Sequence, residues 1–142
     1  MENTHEHLVA RLRLRFAAYA DLVSQIDADL LTASIDVPRH KTLAEHLWCV
    51  VGARESYARG ISQGEWAGFA CSMAQPTLEE FRNKLDESGE TVLTAIQSVQ
   101  EWTARRSELL TILAEHEVMH EGQIIRHMYA IDQHLPESWA WA

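Results

Sequence analysis

The stretch LLTILAEHEVMHEGQIIRHMYAI, residues 109–131, decides the fold. Leu109, Leu113, His116, His120, Ile124, His127 and Ile131 recur every three or four residues, the period that brings side chains onto one face of an α-helix. That periodicity predicts a helix from about residue 104 to about residue 133, stopped by Pro136. Working outward, Thr77-Leu78-Glu79-Glu80 reads as a capping box. It opens a helix whose inward residues are Leu78, Phe81, Leu85, Val92, Ile96 and Val99. Ser88-Gly89 inside that helix costs about 1 kcal/mol in propensity, which tertiary packing must override. Thr42-Leu43-Ala44-Glu45 is a second capping box, followed by the stripe Leu43, His46, Leu47, Val50, Arg54, Tyr57 and Ile61, with Gly60 and Gly64 at its end. In the first segment Leu8, Leu12, Phe16, Tyr19, Val23, Ile26 and Leu30 predict a helix from about residue 4 to about residue 33. No run alternates as a strand does. The expectation is an all-α four-helix bundle spanning residues 1–142 as one domain.

The charge balance narrows the function. Twelve Lys+Arg against 21 Asp+Glu give a net charge of −9, a field that repels phosphate backbones, so nucleic acid is not an expected partner. Apolar runs such as Leu47 to Ala53 are far shorter than the roughly 20 residues that cross a bilayer. The N-terminus has no basic segment followed by an apolar one, and the expected setting is cytoplasmic, without a membrane partner. Cys49 and Cys71 are then expected as reduced thiols. Residues 64–76, with Trp66, Phe69, Cys71 and Met73, are too apolar for a solvated loop and are expected to cover an end of the core, with room for a short helix. The tail tryptophans Trp139 and Trp141 either dock on the bundle or contact a second subunit, and they motivate the expectation of a homodimer.

Histidines interrupt two of the apolar stripes. His116 and His120 lie one turn apart, about 40° around the axis and about 6 Å along it, the spacing of a two-imidazole metal clamp. Two ligands seldom hold a metal, so a third must come from elsewhere in the bundle. His46, at an inward position of its own helix, is the best candidate. The competing reading makes each histidine a hydrogen-bonded core residue, but three at inward positions, two of them at ligand spacing, favour a metal. His116-Glu117-Val118-Met119-His120 also satisfies H-E-x-x-H, in which the glutamate serves as base on a metal-bound water in zinc peptidases. The longer form of that motif needs Gly at position 123 and His at position 126. This chain has Gln123 and Arg126, and no strand to hold a peptide substrate.

Leu43-Ala44-Glu45-His46-Leu47, followed by His116-Glu117-Val118-Met119-His120-Glu121-Gly122-Gln123-Ile124-Ile125 and the late Pro136 and Trp139, resembles the DinB/YfiT-like metalloenzyme superfamily. The resemblance spans nearly the whole chain. It implies a four-helix bundle in a mirror variant of up-and-down topology, with His46, His116 and His120 binding a divalent metal such as Zn or Ni. It also implies a small-molecule thiol or an electrophilic substrate, since members include thiol-dependent S-transferases and a mycothiol-dependent maleylpyruvate isomerase. The family's link to DNA damage implies no DNA binding. Glu121 departs from the family pattern, in which a basic or neutral residue is common. It places negative charge beside the site and weighs against an anionic substrate.

Other residues have two readings each. Gln123 either hydrogen-bonds a ligand or pins a neighbouring helix. Glu117 is a candidate proton acceptor, but lies about 100° around the helix from His116, where an interhelical partner is the commoner role. Tyr57 and His127 read as core packing before catalysis. Cys49, three residues after His46, is within reach of a metal yet is more often a small buried thiol. Cys71 has no basic neighbour in sequence to activate it. A metal-dependent enzyme would show an open coordination position and a pocket, rimmed by residues 64–76. A non-catalytic sensor or interaction bundle would show a closed sphere, with Cys49 as fourth ligand and no adjoining cavity.

Overall fold

The computed structural model describes residues 3–142, and among them every long element is a helix. The four are α1 (Thr4–Gln25), α2 (Leu43–Gln63), α3 (Leu78–Ser98) and α4 (Ala104–Ala130), with a 3-10 turn at Ala28–Leu31 and no strands. No helix among the described residues is long and apolar enough to cross a membrane.

The first helix is shorter than its apolar period suggests. It stops at Gln25, where Ile26 turns to an extended conformation, and Leu30 and Leu31 reach the core from the 3-10 turn instead. Apolar spacing records only that these side chains point inward, which a turn satisfies as well as a helix does. The capping box at Thr42 and Glu45 forms in both directions. At Thr77 only half of it forms. The Thr77 hydroxyl accepts from the Glu80 amide, while the Glu80 carboxylate accepts from the amides of Ala74 and Gln75 in the preceding loop.

The helix contacts define the topology. α1 and α2 each pack against both α3 and α4. Arg82 on α3 meets Val23 while Gly89 meets Phe16, so α1 and α3 are antiparallel. His5 meets Ser107 while Tyr19 meets Glu117, so α1 and α4 are parallel. His46 meets His120 while Arg106 meets Ile61, so α2 and α4 are antiparallel. The order is therefore up, down, down, up. Going from α2 to α3 the chain must travel the length of the bundle, which is why residues 64–77 form an extended crossover and not the compact cap or short helix expected of them. The crossover lies along α2. Ala70 exchanges hydrogen bonds of 3.0 and 3.1 Å with Ser56, and a Cβ on Gly52 would overlap the Phe69 ring.

Close approach also explains Gly89. A Cβ there would lie 3.2 Å from the Phe16 ring, so the glycine lets α1 lie against α3 and offsets its own poor helix propensity. Trp139 docks on the bundle, buried, with its indole N–H donating to the Ala18 carbonyl at 2.8 Å. Trp141 is half exposed and donates to the Glu121 carboxylate at 2.9 Å, so both tail tryptophans have partners in their own chain.

Candidate metal centre

The Thr42 cap fixes where α2 begins, placing His46 in its second turn and Cys49 one turn further, both facing the middle of α4. His46 and His120 are buried and His116 is half-buried. The His120 ring lies between the other two, with its Nδ1 3.0 Å from Nδ1 of His46 and its Nε2 3.2 Å from Nε2 of His116. The Cys49 sulfur is 3.5 Å from the same His116 nitrogen. Ligand atoms of Cys49, His116 and His120 all lie within 4.8 Å of one another. His46 touches the cluster through the opposite nitrogen of His120.

These separations fit a metal ion. In a tetrahedral zinc-type sphere two imidazole nitrogens sit about 3.3 Å apart, and a thiolate sulfur sits about 3.6 Å from an imidazole nitrogen. The His116–His120 and Cys49–His116 distances match both edges. The protonation states fit as well. Burial holds His120 down at about 3, helped by His116, His46 and Lys41, and holds His46 down at about 4. Burial also lowers His116. All three imidazoles are thus neutral at pH 7, with lone pairs to give. Two lone pairs aimed at each other are stable only with a proton or a cation between them. The Cys49 thiol is pushed up by burial, with Lys41 pulling the other way, so it is protonated unless a metal displaces the proton. His116 Nδ1 is buried with no hydrogen-bond partner.

The glutamates between these histidines point elsewhere. Glu117 is fully buried and forms a two-pronged ion pair with Arg54, whose Nη2 donates at 3.2 Å. Arg54 also donates to the Leu85 carbonyl at 2.9 Å and lies over the Phe16 ring at 4.3 Å, so one guanidinium ties all four helices together. Glu121 is fully buried and paired with Arg15 at 2.8 Å. Its charge therefore does not face the site, contrary to what its place in the sequence suggests. Arg15 stands on no apolar stripe and gave no signal of its own. Arg54 interrupts the α2 stripe, and an inward arginine opposite an inward glutamate was the available clue.

A cleft of about 1070 Å³ opens beside the cluster, with His46, Cys49, His116, His120 and Gln123 among its lining residues. Its rim is the loop of residues 35–41 together with the last turns of α4. The expected rim, residues 64–76, lies along α2 and does not line it. Gln123 is exposed on the cleft wall, while Tyr57 stacks near Trp66, away from it. No protein-family model matches the chain, and no curated protein matches it, so the reading of this site rests on its own residues.

Proposed function

We propose that the chain is a metal-dependent enzyme in which His116 and His120 are fixed ligands of one divalent ion, Zn or Ni, and α2 supplies the third ligand. The observation that carries this reading is the convergence of uncharged ligand atoms from Cys49, His116 and His120 in the lining of a cleft. We assign the third place to His46, the residue singled out by the resemblance to DinB/YfiT-like proteins. Its imidazole is already deprotonated, whereas the Cys49 thiol must first lose a proton. One His120 nitrogen must then serve both neighbours, so a three-histidine sphere requires an imidazole to turn. A second reading makes Cys49 the third ligand, favoured by its 3.5 Å approach to His116.

A divalent ion in a sphere with an open position supplies Lewis acidity, enough to activate a water or a small-molecule thiol near neutral pH. The chain's own residues bind and orient. Gln123, on the cleft wall, offers an amide to a bound substrate or water. Glu117, locked to Arg54, fixes the rotation of α4 that turns His116 and His120 toward α2. That role replaces proton transfer for Glu117 and disfavours the peptidase reading, which needs its carboxylate free beside the metal. The adjoining cleft favours an enzyme over a closed metal-stabilised interaction module. Metal content of purified His46→Ala and Cys49→Ser tests the assignment. Loss in the first with retention in the second is expected, and the reverse result makes Cys49 the ligand.

A further inference from the structure

The cleft has a charge opposite to that of the protein. The chain carries a net charge of −9, yet no Asp or Glu lines this cleft, and Arg39, Lys41 and Arg126 all do. Each of the three is exposed, and none makes an ion pair or a hydrogen bond among the described residues. Arg39 is held at φ 62, in the left-handed region that a non-glycine residue occupies at a cost, within a turn closed by the His40 amide donating to the Val37 carbonyl at 3.3 Å. Deeper in the cleft is His127, 2% exposed, with neither ring nitrogen hydrogen-bonded. A buried imidazole with no partner is costly unless something in the cleft satisfies it. Glu121, the carboxylate that follows His120, is already paired with Arg15 and turned inward, while Asp36 and Glu45 are exposed beside the cleft without lining it.

We propose that the cleft binds an organic anion, its charged headgroup held by His127 and the Arg39, Lys41 and Arg126 cations, and its apolar body lying along Ile35, Val37 and Met119. The proposal rests on the reading of this cleft as the substrate site beside the metal cluster, and it names the substrate class. A planar guanidinium matches a carboxylate in two-point contact. An uncharged substrate would leave the three cations and His127 without function.

Isothermal titration of phenylacetate against phenylacetamide, which share a body and differ in charge, tests this on both metal-free and zinc-loaded protein. The metal-free arm separates binding by the basic cleft from simple coordination of a carboxylate to the ion. Phenylacetate is expected to bind at least about tenfold more tightly than the amide in both states. Arg126→Gln should weaken phenylacetate by roughly tenfold, leave the amide unchanged and keep the wild-type zinc content. His127→Asn should weaken phenylacetate alone in the same way. Equal binding of the two compounds, or a preference that appears only with zinc, overturns the proposal. A protein that discriminates the pair but takes up no zinc removes the metal reading and leaves this one standing.

Discussion

Two turns of α4 carry two kinds of buried polar group, and their contrast separates structure from function. Glu117 and Glu121 are fully buried, and each carboxylate is held by an arginine from another helix. His116 and His120 lie one position earlier on the same turns. They meet only other imidazoles and a thiol, and one His116 nitrogen has no partner. Charges paired with an opposite charge hold helices in place, although Glu121 Oε1 and Arg15 Nε are left without a hydrogen bond. Neutral imidazoles crowded together beside a thiol offer lone pairs that a cation can take in place of shared protons. The same contrast recurs about two turns further on, where His127 is buried without a partner at the cleft.

The largest expected effect lies on the ion-paired side. Glu117→Ala leaves the Arg54 guanidinium buried and uncompensated, and should cost about 3–5 kcal/mol in denaturant unfolding. The double variant Arg54→Met/Glu117→Leu should recover most of that loss, since an apolar pair of similar volume is often no worse than a buried ion pair. If Glu117→Ala unfolds like the wild type, the ion pair does not hold the four helices together.

On the histidine side the effect should depend on metal. Adding zinc at about 100 times its dissociation constant should stabilise the wild type by about 2.7 kcal/mol, and His116→Ala should lose this gain. The metal-free proteins should differ far less from each other, because His116 is only half-buried. Equal zinc stabilisation in His116→Ala would place the ion elsewhere.

Acid should sharpen the comparison further. The native His120 and His46 stay neutral down to about 3 and about 4, while the same side chains in the unfolded chain take up protons near 6.5. Below that pH the unfolded state binds more protons, so metal-free stability should fall as pH drops from 6.5 toward 3 and stop falling from this cause below it. His120→Gln should flatten that slope. Equal slopes in wild type and variant, measured by urea unfolding across this range, would show that the imidazoles titrate normally in the fold.

The smallest effect belongs to the cap that sets the position of His46. Thr42→Ala removes one side of a complete capping box and should cost about 1 kcal/mol. Thr77→Ala, whose box is half-formed, should cost no more. A larger loss at Thr77 would mean that the crossover depends on that cap as well.

Apolar periodicity was enough to predict the helices, because a buried stripe needs only the right residue every three or four positions. It overran the end of α1, since Leu30 and Leu31 bury equally well from a turn. The inward histidines were readable for the same reason, as polar interruptions of a stripe. Their neighbours were harder. Arg15 lies off the stripe, and which side of the ring His120 turns to each partner depends on packing between helices rather than on spacing along one. Nor does spacing along a helix reveal the crossover, so the cleft was expected beneath residues 64–76 and is instead walled by residues 35–41.

The central claim, one ion held by histidines from α2 and α4, is most directly tested by counting zinc atoms per chain in purified wild-type protein and His120→Ala. The account predicts one bound zinc in the wild type and its loss in the variant, because His120 alone touches both His46 and His116. A variant that retains its zinc, folded and at wild-type stoichiometry, would contradict it.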